Sequence, residues 1–441
     1  MNKIVSVILL GWIVFSGHSQ ELMDVRACVD YAIEHNLSLK NYQYNIQRQE
    51  ANMVGAYGNM LPVVNASSNL NISQGRTTDP NTNQIIDADP FLSNNYGLNG
   101  NVPLFNGFRL QNQLKFEKYS LLAANETYEK QKNNITYLIM DSYIQYLISL
   151  GLTEIQAEQL EASTKEVYRI NKQIELGLSS GSEKYESEAQ MATDEYLLIQ
   201  NQNLANKNEN NLKKLLNYPI DSTLNIAEIE IDPSRLTPIN DEMISPNPEI
   251  LPEVQSTMAL LNAAKKQLNA ARSSLSPSLS AYANWGTGYL ETRTNANGDL
   301  IPYGEQLNLN GRTGYGLSLN IPVFNQLNRR NTIQQAKINH EEAENNLTTL
   351  IRDTEYLINE AILDYEGAIA EYESARKREQ SMELAFEVVQ KKREKGLVGI
   401  MEFYLAKNNL ASARGQSLRT KLQLFLSERN INFYLTGSFF E

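Results

Sequence analysis

The sequence predicts a mixed α and β fold built twice over, in which short strands run into helices of unusual length. Three observations predict it. The stretch from Tyr96 to Arg109 alternates large apolar with small or polar residues up to Pro103, and it returns at Tyr315 to Arg329. Tyr96 is answered by Tyr315, Leu98 by Leu317, Val102 by Ile321, Pro103 by Pro322, Phe105 by Phe324 and Asn106 by Asn325, each 219 positions on. Repetition at fixed spacing marks two copies of one structural unit. Secondly, no proline occurs from Leu104 to Tyr218 or from Val323 to Glu441, so both copies open into long uninterrupted runs. Thirdly, apolar residues in those runs recur three and four apart, as at Leu114, Leu121, Leu122, Ile135, Leu138, Ile139, Tyr146 and Leu150. That spacing draws a narrow coiled-coil-like stripe on a helix.

A length of 441 residues alone suggests two or three domains, but the duplication overrides that prior. Residues 1–19 read as a signal peptide: Lys3 supplies the positive end, Ile4 to Phe15 an apolar core, and Gly17-His18-Ser19 a small-residue cleavage site. Cleavage before Gln20 leaves no sign of an N-terminal lipid. Cys28 is the single cysteine, which excludes a disulfide framework and a thiolate metal cluster. It shares an apolar phase with Val25, Val29 and Ala32, so it reads as a packed core thiol. The formal charge of −12 argues against a nucleic-acid partner. No later segment reaches the roughly 20 apolar residues of a membrane helix. An exported soluble protein and an outer-membrane barrel both remain open.

Taken in order, repeat 1 covers 20–216. A helical stretch at about 24–60 is broken once at His35-Asn36 and ends at Leu61-Pro62. A strand at about 63–73 carries small and polar residues on one wet face, a polar loop covers Gly75 to Asn95, and a second strand spans about 95–105. Helices follow at about 106–176 and 182–216; the first would extend roughly 100 Å at about 1.5 Å per residue. A connector at 217–246 holds one short alternating stretch, Leu224 to Ile231, and prolines continue to Pro252. Repeat 2 covers 247–441, with helices at about 248–275, 325–395 and 400–435. Its strands lie at about 277–290 and 312–324, with a polar loop from Leu290 to Arg312.

In the strand at 95–105, Tyr96, Leu98, Val102 and Leu104 fall on one face and Gly97, Asn99 and Asn101 on the other. Apolar-out, polar-in alternation over about ten residues is the pattern of a transmembrane β-strand. At the far end, each long helix stops at a glycine, in Gly177-Leu178-Ser179 and Gly396-Leu397-Val398. A glycine at that place supplies the left-handed conformation that turns the chain into a hairpin.

The order of these parts resembles the TolC-like outer membrane efflux protein family, over nearly the whole chain after the signal peptide. The residues that carry the likeness are Cys28 to Asn36, the Val-Pro-Leu-Phe-Asn-Gly and Ile-Pro-Val-Phe-Asn-Gln switches at Pro103 and Pro322, and the two Gly-Leu tips. The resemblance implies a mixed α and β membrane protein that assembles as a homotrimer. Each protomer would give four strands to one β-barrel in outer-membrane lipid and its helices to a long antiparallel α-helical tunnel across the periplasm of a Gram-negative bacterium. It implies as partners a periplasmic adaptor (membrane fusion) protein and an inner-membrane pump of RND or ABC type, in a tripartite efflux or type I secretion system. Energy would come from that pump, since the chain has no phosphate-binding glycine loop.

Two sites follow from the resemblance. Gly177, Leu178, Ser179, Gly396, Leu397 and Val398 would meet the adaptor; on local evidence Leu178 and Leu397 equally well close a helix cap. Glu183 and Glu402, also 219 apart, match acidic residues at the family's periplasmic gate. The bland alternative is a first-turn carboxylate complementing the helix dipole, worth about 0.3–1 kcal/mol. Val398 stands where some relatives carry a basic latch residue, so closure would rest on other contacts. A stand-alone diffusion porin is the rival function, although a porin would spend its length on strands. Nothing supports an enzyme or a cofactor: His35 and His340 are the histidines beyond the signal peptide, and neither His-Glu-x-x-His nor Gly-x-Ser-x-Gly occurs.

Overall fold

The structure is a computed structural model and describes residues 22–78, 85–231 and 247–440. The expected signal peptide and the 232–246 part of the connector lie outside the described residues. The elements, in order, are α1 (Val25–His35), α2 (Leu37–Gly58), β1 (Val63–Thr78), β2 (Ile85–Phe105), α3 (Arg109–Glu175), α4 (Gly181–Leu216), α5 (Pro252–Ser273), β3 (Ser278–Leu290), α6 (Tyr303–Leu309), β4 (Arg312–Asn320), α7 (Asn328–Glu394) and α8 (Ile400–Thr436). Among the described residues no helix is long and apolar enough to cross a membrane.

Local chemistry sets the helix ends. The Asp24 carboxylate accepts from Ala27 N at 2.7 Å and starts α1. Asn36, in extended conformation, ends α1, and its Oδ1 accepts from Ser38 N at 2.8 Å to start α2. One asparagine therefore makes the break at His35-Asn36, satisfying helix-end groups that would otherwise lack partners.

The strands form one antiparallel sheet in the order β1-β2-β3-β4. The first hairpin is longer than the alternation predicts: the expected loop at Gly75 to Asn95 is largely ladder, with Arg76 opposite Asp87 and Thr78 opposite Ile85. Backbone pairing needs no apolar side chain, so the ladder runs on past the apolar band through a register shift at Gly75. The second hairpin is shorter than expected, because β4 stops at Asn320 rather than 324. Its partner β3 begins at Ser278, opposite Asn320, and offers nothing beyond. The predicted polar loop from Leu290 to Arg312 also contains a bridge between Thr294 and Leu300 and the short helix α6.

Register separates the two faces of the sheet. Leu70, Ala66 and Val64 of β1, Tyr96 and Leu98 of β2, Trp285 and Ala281 of β3, and Tyr315, Leu317 and Leu319 of β4 share one face. Asn65, Asn69, Asn99, Asn101, Asn284 and Tyr282 share the other with glycines. Those glycines make room: a Cβ on Gly316 would lie 2.7 Å from the Tyr282 hydroxyl, and one on Gly288 2.6 Å from Asn95 Oδ1.

Two compact units result, and they do not follow the sequence repeats. One gathers Met1–Lys40, Lys130–Ile250 and Thr354–Glu441; the other gathers Asn41–Glu129 and Leu251–Asp353. Long antiparallel hairpins bring stretches of both repeats side by side, so contact follows helix pairing rather than chain order. In the first unit, Ala361, Tyr365, Ala368 and Tyr372 of α7 pack on Leu424 and Ile431 of α8. Gly151 of α3 faces the Leu418 side chain, and Gly415 of α8 faces Leu152, so each helix receives the other's leucine over a glycine. Tyr143 donates to Ala227 O at 2.5 Å and Met23 O at 3.1 Å, fastening the Met23–Ile226 bridge to α3. Cys28 is fully buried beside it, and burial with the Asp24 charge pushes its thiol up to about 12, leaving it protonated.

The turn from β2 into α3 yields a prediction. Gly107 adopts φ +66, and a Cβ there would lie 2.5 Å from Ser276 Cβ and 2.8 Å from Ser273 O. Gly107→Ala is expected to destabilise by about 2–4 kcal/mol, the left-handed strain adding to overpacking. Its counterpart Gln326 holds φ 55 with a side chain, so Gln326→Gly is expected to be neutral or stabilising by up to about 1 kcal/mol. Thermal unfolding of both variants in detergent checks the opposite signs.

Candidate functional site

Both hairpin tips are built by the same backbone device. Gly177 N donates to Ile174 O at 2.9 Å and Leu178 N to Gln173 O at 2.8 Å; Gly396 N donates to Arg393 O at 3.0 Å and Leu397 N to Lys392 O at 2.9 Å. The glycines stand at φ +72 and +70. This is the paired capping of a Schellman motif, which uses main-chain groups alone. The leucine side chains are 74% and 71% exposed, so each cap is closed without them.

The two acidic residues behind the tips differ. Ser180 is the N-cap of α4, and its Oγ accepts from Glu183 N at 3.4 Å. Ser179 Oγ then donates to Glu183 Oε2 at 2.6 Å, and Glu183 is half-buried. In the second copy the N-cap is Gly399, without a side chain, Val398 replaces Ser179, and Glu402 is exposed. One carboxylate is therefore tied to its own turn and the other faces outward.

Sequence reasoning missed two buried charged clusters nearby. Arg393, from the last turn of α7, donates through Nε and Nη2 to Glu166 Oε1 of α3 at 2.9 and 2.8 Å, and through Nη1 to Val398 O at 3.1 Å. Arg169 completes it, donating to both Glu166 oxygens at 2.6 and 2.9 Å and to Arg393 O at 2.9 Å. A guanidinium thus reaches the Val398 position by another route. Further along, Lys407 of α8 and Asp194 of α4 pair at 2.5 Å, both almost wholly buried. Lys407 also donates to Ser163 Oγ at 2.7 Å and Gln159 O at 3.2 Å. The Ser163 hydroxyl and Gln190 Nε2 donate to the carboxylate, the latter at 2.9 Å. Burial pulls the lysine ammonium below its usual range, against the pull of Asp194. Between the clusters, Tyr404 OH bonds Ser187 Oγ at 2.7 Å, and burial pushes the phenol up to about 12. Together they join α3, α4, α7 and α8 near the tips. The signal was a mismatch between copies: Asp194 sits in the buried stripe of α4, where the equivalent position in α8 is the fully buried Ala413.

At the other end of the long helices, Pro103 lies inside β2 beside a register shift, whereas Pro322 lies past the end of β4. The turn itself is made by left-handed pairs, Gly107 with Phe108 and Gln326 with Leu327. Asn106 Oδ1 accepts from Leu110 N at 3.3 Å and Asn325 Oδ1 from Arg329 N at 3.4 Å, starting α3 and α7. Neither proline ends its ladder, since β2 pairs on to Phe105 and β4 has already stopped at Asn320; the asparagines and their followers redirect the chain. Among the described residues no group of three or more His, Cys, Asp or Glu is placed to hold a metal ion.

The sequence matches the family model described as outer membrane efflux protein over residues 28–218 and 251–437. It is 21% identical over 415 residues, 92% of this chain and 79% of the relative, to a probable efflux pump outer membrane protein, TtgC, of Pseudomonas putida. Among solved structures, its fold is similar to the Campylobacter jejuni CmeC outer membrane channel, with TM-score 0.78, 18% identity and coverage of 95% of this chain and 87% of that one. It is likewise similar to the outer membrane protein VceC of Vibrio cholerae, with TM-score 0.77, 14% identity and coverage of 94% and 96%.

The buried pair gives a stability prediction with a direction. Lys407→Ala leaves the Asp194 carboxylate buried without its counter-charge and is expected to cost about 3–5 kcal/mol. Lys407→Met combined with Asp194→Leu removes both charges and is expected to recover most of that loss, by the same desolvation argument. Thermal unfolding of the single and double variants measures the difference.

Proposed function

Because the chain belongs to the outer membrane efflux protein family, it is an outer-membrane efflux channel, a duct rather than an enzyme, and we propose how its parts serve that task. The single observation that carries the proposal is the four-stranded sheet with one bare apolar face. Among the described residues β1 pairs with β2 alone and β4 with β3 alone, so the sheet of one chain has two open edges. Lipid offers no water to satisfy edge groups, so a spanning sheet must close. Four strands do not make a barrel, whereas three copies joined edge to edge give twelve. The Asn- and Gly-rich face then lines a polar lumen and the Leu, Trp and Tyr face meets lipid, the alternation expected of outer-membrane strands. The long helices continue the duct across the periplasm. A periplasmic adaptor and an inner-membrane pump supply capture and energy.

We assign the exposed tip leucines to adaptor contact. Their side chains take no part in the caps, which removes the local reason for a leucine there. Leu178→Asp with Leu397→Asp is expected to abolish crosslinking to the adaptor while native mass analysis in detergent still finds trimers. Retained crosslinking overturns the tip assignment, and a monomer in the wild-type protein overturns the architecture.

Glu183 and Glu402 form the proposed entrance ring, two carboxylates from each of three chains. Such a ring attracts cations and binds divalent ions. Glu402, exposed and without a side-chain cap before it, carries the larger part. In planar bilayers, Glu402→Gln is expected to lower cation preference and divalent block more than Glu183→Gln, with the double variant losing most of both. Unchanged selectivity in the double variant would reduce both residues to helix-end carboxylates.

A further inference from the structure

The short helix α6, between β3 and β4, is built inside out for a helix in water. Gln306 is 1% exposed, whereas Leu309 at its end and Leu300 just before it are 62% and 65% exposed. A helix on a water-facing surface normally hides its leucines and shows its amides. The inversion is held rigidly. The Gln306 amide pairs with the last residue of β3 as a neighbouring strand would: its Oε1 accepts from Leu290 N at 3.0 Å and its Nε2 donates to Leu290 O at 3.0 Å. A further bond from Nε2 reaches Ile301 O at 2.9 Å. Thr287 Oγ1 donates to Leu307 O and Asn310 Nδ2 to Gly288 O, each at 2.5 Å.

The side of the sheet that α6 covers decides what surrounds it. Thr287 pairs with Tyr96, and Trp285 with Leu98, so the Thr287 contact lies on the apolar face. On that face Tyr303 of α6 joins a cluster of phenols: its hydroxyl lies 2.9 Å from that of Tyr96, Asn94 Nδ2 donates to both at 2.9 Å, and its ring lies 4.6 Å from that of Tyr289. Height agrees. Leu279 and Tyr289 are the first and last residues of β3 on this face, ten positions apart. Ten residues span roughly 33 Å along a strand. At a tilt of about 40° that becomes a height of about 25 Å, the thickness of the apolar band of an outer-membrane barrel. Tyrosines with one apolar and one wet end collect at that boundary.

We infer that α6 is an interfacial element that rests in the headgroup–acyl boundary of the bilayer on the outside of the barrel, at the loop end of the strands, with Leu309 and Leu300 entering lipid. The occupant of its exposed side is bilayer lipid. The inference rests on the barrel reading, which fixes the apolar face as the lipid face. Glu305 and Asn308, also exposed, hold the helix at headgroup depth rather than deeper. The amides of Gln306 and Asn310, which a water-exposed loop would display, are instead spent on the sheet.

Depth-dependent fluorescence quenching tests it, because Trp285 is the one tryptophan among the described residues and stands on the apolar face. Full-length protein is reconstituted into phosphatidylcholine vesicles brominated either near the headgroup or near the chain ends. Trp285→Phe alone supplies the blank and covers any emission from Trp12. With Trp285→Phe and Leu309→Trp together, loss of emission is expected to be large with shallow bromines and small with deep ones, with a blue-shifted maximum. Trp285→Phe with Leu300→Trp is expected to behave alike and guards against local misfolding from one substitution. Wild-type Trp285 is expected to be quenched in the same vesicles. If Trp285 is quenched while neither introduced indole is, α6 stands clear of the bilayer and the inference fails with the barrel intact. If Trp285 is not quenched either, the barrel reading falls and the inference with it.

Discussion

Unpaired backbone at the edge of a sheet is the constraint on which the remaining structure depends. In water an open strand edge is tolerated, because solvent satisfies its N–H and C=O groups; in lipid each bare group costs several kcal/mol. A protomer with four strands and two open edges, set in lipid, would need copies of itself to close them. The same constraint explains the sheet's chemistry. Its apolar face carries Leu98, Trp285, Leu317 and Leu319 without cover, and its other face stacks asparagine and tyrosine over glycine. A chain folding as an isolated soluble domain would have buried the first face and had no use for the second.

The helices meet a different requirement. Each of α3 and α7 runs 67 residues with a thin apolar stripe, so little apolar area per residue is available for burial. Small residues let backbones approach where bulk is scarce, as in the exchange of Gly151 and Gly415 for Leu418 and Leu152. Nearer the tips the stripe admits charge. The Glu166–Arg393 and Lys407–Asp194 pairs are shielded and hydrogen-bonded on nearly every lone pair, unlike the exposed i,i+4 pairs such as Lys165 with Glu161, which contribute about 0–1 kcal/mol. Buried pairs of this kind punish mispairing more than they reward pairing. They fix which helix lies beside which near the turns, where the Schellman caps leave two leucines outward.

Much was legible in the residues, because the signals involved are local or repeat at a fixed period. The proline-free runs, the stripe and the glycines at Gly177 and Gly396 determined long helices and hairpin tips, since glycine alone adopts φ near +70 without strain. The repeat determined that whatever Pro103 begins, Pro322 begins again. Alternation located four strands near their middles. Three strand ends were not legible, because a ladder lasts as long as its partner does: β1 and β2 ran on together past the expected 73 and 95, and β4 stopped where β3 had no more to offer.

Only the tertiary structure decided the rest. That Asp194 meets Lys407 across 213 positions, and Glu166 meets Arg393 across 227, depends on helix register, which no local pattern encodes. Charged residues on long helices look alike in sequence whether they face water or a neighbour, and only packing separates Lys407 from Lys165. The inequivalence of Glu183 and Glu402, identical by repeat, came from two serine hydroxyls, Ser179 and Ser180, present in the first tip and replaced by Val398 and Gly399 in the second. The inverted helix α6 lay hidden in what reads as polar loop, because its burial of glutamine and exposure of leucine have meaning only once the face of the sheet beneath it is known.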